Sequence, residues 1–156
     1  MKFFTFEWWS GQSGDPAEAF DAYRHFIGDF FDRLPADHQL LSRDLSLHDA
    51  NLRKLSVNVE ARTTDLQLDG RGFNQADKSY FGRRFVLKYS GVSKIETTAD
   101  PRVGLPGPHG YGDLGYDEIE ILESGIIEHR MLFSTGIELC IRHSDFAIET
   151  EDFAWD

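Results

Sequence analysis

Two tripeptides in the last third of the chain, Glu123-Ser124-Gly125 and Ser134-Thr135-Gly136, constrain the fold more than any other feature. Each lies between runs of alternating apolar and polar residues. Each ends in a glycine that can take the left-handed conformation a three-residue hairpin loop requires. Loops of that length pair Leu122 with Ile126 and Phe133 with Ile137. The register then follows for the meander from Tyr116 to Thr150, because side chains alternate faces along a strand. Ile119, Ile121, Ile127, Met131, Phe133, Ile137, Leu139 and Ile141 fall on one face. The other face carries Glu118, Glu120, Glu128, Glu138, Arg130 and Arg142, with Glu128 opposite Arg142 and Glu118 opposite Arg130 as favourable cross-strand pairs. Phe146 and Ile148 extend the pattern as a last strand. His129 and His143 share the apolar face, where a buried imidazole needs hydrogen-bonding partners. Cys140 lies on the acidic face, which disfavours its thiolate.

Upstream, Phe3 to Trp9 alternates aromatic residues and reads as an edge strand, broken by the segment from Gly11 to Gly14. Asp15, Pro16 and Glu18 are a helix start: a capping carboxylate, a residue pre-set for the first turn, and an acid three residues after the cap. Phe20, Tyr23, Ile27, Phe30, Phe31 and Leu34 follow at helical spacing until Pro35 ends or kinks the helix, and a further turn or two covers 36–41. The period then shortens. Leu55, Val57, Val59 and Ala61 alternate with polar residues as a half-buried strand, and Leu66 and Leu68 begin its hairpin partner. The polar, glycine-bearing stretch 69–79 reads as a mobile loop. Phe85, Leu87 and Tyr89 mark the next strand, Gly91 a turn or bulge, and 92–97 another strand. Residues 99–115 contain five Gly and three Pro and read as one long irregular loop. The expected fold is α+β: an N-terminal amphipathic helix packed on a strongly twisted, mostly antiparallel sheet of about seven or eight strands, in a single domain over residues 1–156.

The chain has 27 acidic and 16 basic residues and a formal net charge of -11. That weighs against nucleic acid and anionic membrane surfaces, which need clustered Lys and Arg. It favours a basic protein as partner, or serves solubility alone. No run approaches the ~18 apolar residues of a membrane span. The N-terminus lacks the apolar core of a signal peptide, and a lone cysteine fits a reducing compartment, so the cytoplasm is expected.

Six histidines are present, none in a His-Glu-x-x-His arrangement. His48-Asp49 has two readings. One is a general base oriented by a carboxylate. The other is a turn in which either side chain hydrogen-bonds nearby backbone at the start of the first long strand. A small metal-dependent enzyme or metal-binding protein would use His48, Asp49 and His109, and needs them to converge. The glycines of 107–112 lack the Lys-Ser/Thr pair and following helix of a phosphate loop. No catalytic set, metal set or cofactor is assigned. The preferred reading is a protein-binding module, monomeric or homodimeric. Its contact surface is assigned to Glu118, Glu120, Glu138, His109 and Tyr111, because the acid left over after internal pairing lies at Glu120 and Glu138, beside the glycine-rich loop.

Leu47-His48-Asp49-Ala50, followed by an alternating strand, resembles the start of the sheet in groups of small uncharacterised bacterial proteins. Tyr116-Asp117-Glu118-Ile119-Glu120, the run from Glu128 to Gly136 and the run from Ile141 to Phe146 are similar to their closing meander. Some such groups are linked to the immunity proteins of bacterial toxin systems. The resemblance implies an α+β bacterial domain, with toxin neutralisation as one form of its function, and carries no catalytic residues.

Overall fold

The computed structural model describes residues 1–12, 14–99 and 110–154. Helices α1 (Phe6–Trp9), α2 (Pro16–Gly28) and α3 (Ala36–Arg43) precede eight strands. These are β1 (Asn51–Asn58), β2 (Thr63–Asn74), β3 (Ser79–Ser90), β4 (Lys94–Thr98), β5 (Leu114–Ile121), β6 (Ile127–Phe133), β7 (Glu138–His143) and β8 (Asp145–Phe153). They form two four-stranded antiparallel sheets, ordered β1-β2-β3-β8 and β4-β7-β6-β5. The α+β class agrees with the sequence reading. The single sheet does not.

One bent ribbon explains the difference. β3 continues into β4 and β7 into β8, so the antiparallel pairing that begins at Gly82 and Phe153 ends at Thr98 and Glu138, after turning a corner near Gly91 and Ser144. Gly91 takes φ +61°, and a Cβ there would lie 1.9 Å from Ser144 Oγ, so both conformation and space require glycine. Strands that change sheets at such a corner fold a sheet over itself into two layers. Phe146 and Ile148 therefore leave the closing meander and pair with β3 in the other sheet. Opposite the corner, the Leu114 amide donates to the Ala50 carbonyl at 2.8 Å and Asn51 bridges Asp113. The two apolar faces share one core, with Leu66, Leu68, Phe85 and Leu87 from the first sheet and Ile119, Met131, Phe133, Leu139 and Ile141 from the second.

The closing hairpins have the expected register. Leu122 donates to Ile126 at 2.8 Å and Phe133 to Ile137 at 2.9 Å, while Gly125 and Gly136 take φ +79° and +76°. Glu118 faces Arg130 and Glu128 faces Arg142.

Three expectations are corrected. Phe3 to Trp9 is not an edge strand: Thr5 Oγ1 accepts the Trp8 amide at 3.2 Å and caps the single turn of α1. Residues 69–79 are not a loop but the outer arms of the β2–β3 hairpin, pairing as far as Asn74 and Ser79. Gly72 and Gly82 sit in this polar stretch because the Phe81 and Phe153 rings fill the space above them, where a Cβ would come within 2.2 Å of ring carbon. Arg84–Asp69 at 2.8 Å and Arg83–Asp152 at 2.6 Å add cross-strand ion pairs. Finally, β1 ends at Asn58, whose Oδ1 accepts the Ala61 amide in a turn, so Val57 and Val59 are exposed rather than half-buried.

The helices protect sheet edges, which are otherwise open to pairing with other chains. The expected long N-terminal helix is instead α2, a 3-10 turn at Phe31–Arg33 and α3. From α2, the Tyr23 hydroxyl accepts the outward Ile119 amide of edge strand β5 at 2.8 Å. From α3, Asp37 Oδ2 accepts the Ile148 amide of edge strand β8 at 3.2 Å. Among the described residues no helix is long and apolar enough to cross a membrane.

Candidate functional site

The carboxylates assigned to a partner surface are engaged within the chain. Glu118 is 2% exposed and accepts three consecutive backbone amides, those of Lys2, Phe3 and Phe4, at 2.7–3.1 Å. The N-terminal segment thus runs beside β5 held by one side chain. Glu120 pairs with Lys2 at 2.5 Å and with Arg130 at 3.1 Å. Glu138 meets the Met1 ammonium at 2.7 Å, and Glu128 pairs with both Arg130 and Arg142. The expectation that Glu120 and Glu138 hold unpaired charge is therefore corrected: besides Arg130 on Glu120, their partners are the chain's first two residues, which no strand pattern places there. Tyr111 packs its ring on Phe133, and its carbonyl accepts the Thr135 hydroxyl at 2.7 Å. His109 lies outside the described residues. Burial, followed by the Glu128 carboxylate, pushes the Cys140 thiol up to about 11.

Beneath the closing meander lies a buried polar network. Asp117 Oδ2 takes the Nε2 proton of His129 at 3.1 Å, so His129 Nδ1 accepts from the Tyr89 hydroxyl at 2.8 Å. Burial, and then the Asp117 charge, keep Tyr89 in its neutral, donating form. His38 and His143 meet Nε2 to Nε2 at 2.9 Å, with ring planes 7° apart. His143 Nδ1 faces the Ile141 carbonyl at 3.4 Å, which accepts only, so Nδ1 carries the proton and Nε2 accepts. His38 therefore donates from Nε2, and its buried Nδ1 has no hydrogen-bond partner among the described residues. Burial holds both rings neutral, His38 down to about 3 and His143 down to about 4.

Asp117 is where the Tyr89–His129 chain reaches the surface. It lines a cleft of about 440 Å³ between α2, α3, the 45–48 turn and the start of β5. Phe4, Phe20, Tyr23, Leu41, Leu47 and Tyr116 make its wall apolar, and Ser42, Ser46, His48 and Asp117 supply polar groups. Concave, mostly apolar sites with a few placed polar groups are what ligand pockets look like. Local structure places each part. Glu118 holds the segment bearing Phe4, and the Tyr23 bond to Ile119 fixes α2 against β5. Gly115 is bare because the Trp9 ring occupies the site of a Cβ, 2.6 Å away.

His48 lines the cleft, and Asp49 follows it in the chain. They lie on a turn, with Asp49 at φ +63° and its amide donating to Leu114 at 2.8 Å. His48 Nδ1 donates to the Gly115 carbonyl at 2.5 Å, a backbone partner 67 residues along the chain and not the nearby one that the turn reading expected. The turn also brings His48 Nε2 to 3.5 Å from Asp49 Oδ1, a proximity a strand would forbid. Among the described residues no three His, Cys, Asp or Glu side chains converge to hold a metal ion. The aromatic wall and Asp117 escaped sequence reasoning. Their only signal was Tyr116-Asp117 beside the glycine-rich stretch. No model of a protein family matches this chain, and no curated protein matches it in sequence.

Proposed function

We propose that this protein is a non-catalytic binding module that takes a segment of a basic protein into the cleft between α2, α3 and β5. The observation that carries the reading is the contrast between the two acidic regions. On the β6–β7 face Arg130, Arg142, Lys2 and the N-terminus answer the carboxylates, whereas the cleft sets Asp117, whose only ion-pair partner among the described residues is His129, beside a largely apolar wall. Phe20 is 42% exposed there, a large apolar group that a partner would cover. The net charge speeds encounter with a basic partner. Toxin neutralisation is the sharper form, and predicts a salt-sensitive complex with a basic toxin domain encoded nearby.

A random-peptide display selection against the immobilised protein tests the reading. The expected winners carry a basic residue beside apolar ones, and lose affinity in high salt and on Phe20→Ala. Winners that are acidic, or that ignore Phe20→Ala, overturn it.

A further inference from the structure

We propose that the cleft is a guanidinium pocket: an arginine side chain of the partner lies against Phe20 and Tyr116 with its N–H groups on Asp117. This rests on the binding-module reading and names the group that the cleft selects.

Three observations converge on a cation. First, Asp117 makes no ion pair with Lys or Arg among the described residues, although its side chain is only 27% exposed and stands in an aromatic setting. A half-buried carboxylate without a cation is costly, and its neighbours Glu118 and Glu120 are both paired with Arg130. Second, the His129 bond occupies Asp117 Oδ2, and Tyr89 in turn orients His129. The carboxylate is thereby aimed, and Oδ1 has no hydrogen-bond partner among the described residues. Third, carboxylates stand near two hydroxyls of the wall. Burial first, then Asp117 and Glu118, raise the Tyr23 hydroxyl, and burial, then Asp49, raise that of Tyr116.

The aromatic wall decides between cations. Phe20 and Tyr116 stand 5.8 Å apart at 67°, with Phe4 behind both at 5.2 and 5.1 Å. A guanidinium is planar, weakly hydrated and stacks on such rings while its fork reaches a carboxylate. An ammonium keeps its water and offers no plane. The volume of about 440 Å³ accommodates an arginine side chain with its flanking residues.

The test is a titration of the ¹⁵N-labelled protein with N-acetyl-arginine amide and, separately, N-acetyl-citrulline amide, which has the same shape without the charge. The expected result is saturable shifts at the Gly115, Tyr116 and Asp117 amides with arginine, and binding about tenfold or more weaker with citrulline. Asp117→Asn keeps an acceptor for His129 and is expected to abolish the preference for arginine. Phe20→Ala, at an exposed position, is expected to weaken both probes. Equal affinity for the two amides, or arginine shifts confined to the β6–β7 face, overturns the pocket. If display-selected peptides still bind the cleft of Asp117→Asn unchanged, the guanidinium pocket fails and the binding module stands. If the display-selected peptides instead bind away from the cleft, both fail.

Discussion

Replacing Glu118 by alanine is expected to cost about 3–5 kcal/mol of stability. Its carboxylate accepts the Lys2, Phe3 and Phe4 amides at 2.7–3.1 Å, and each hydrogen bond to a charged group is worth roughly 1.5–3 kcal/mol net. The Lys2 and Phe3 amides are partly buried and regain water when the carboxylate is removed, so they count at the low end. The Phe4 amide is buried and stays unsatisfied. Removing a buried charge also returns part of its desolvation cost, which holds the total below the simple sum. Glu118→Gln keeps one carbonyl acceptor and is expected to lose about half as much. Urea unfolding followed by tryptophan fluorescence measures both, and amide hydrogen exchange at residues 2–4 locates the effect. Phe4 also lines the cleft, so the alanine variant is expected to weaken peptide binding without touching a cleft residue. An alanine variant within about 1 kcal/mol of the parent, with unchanged exchange at residues 2–4, refutes the reasoning.

Acid is expected to destabilise the fold through the His38–His143 pair. Both rings have folded pKa values below the unfolded ~6.5, so the unfolded chain binds more protons and stability falls as pH drops from about 6.5 toward 4. At pH 5 the two together withdraw roughly 4 kcal/mol relative to pH 8, and a His38→Leu/His143→Leu double variant flattens that profile in urea titrations. Gly91→Ala is expected to cost roughly 2 kcal/mol by thermal unfolding, because it forces φ +61° on a side chain against Ser144; a silent substitution shows that the corner is not held there. Cys140 is expected to resist alkylation at pH 8, where a thiol at about 11 is ionised in only about one molecule in a thousand; labelling at the rate of a free thiol contradicts that.

What could be read from the sequence was local. The closing hairpins were legible because a glycine at each loop end and strict alternation on both sides leave one register. The capped start of α2 was legible for the same reason, since Asp15 accepts the Ala17 amide two residues away. The β2–β3 arms were not, because their glycines are completed by rings on neighbouring strands, and composition records only the glycines. Glu118 was legible as an acid on β5, but the amides it holds are more than a hundred residues away in the chain. Of the cleft, His48-Asp49 was visible as a turn. The aromatic wall was not, because Phe4, Phe20 and Tyr116 come from three elements that only the folded chain assembles.

The central claim is where a partner sits. Hydrogen exchange of the full chain with a saturating display-selected basic peptide tests it most directly. The account predicts slowed exchange at residues 114–118 and in the segments 20–23 and 41–48, with the β6–β7 strands unchanged. Protection confined to the charged face around Glu128, Glu138 and Arg142, with the cleft unaffected, contradicts it.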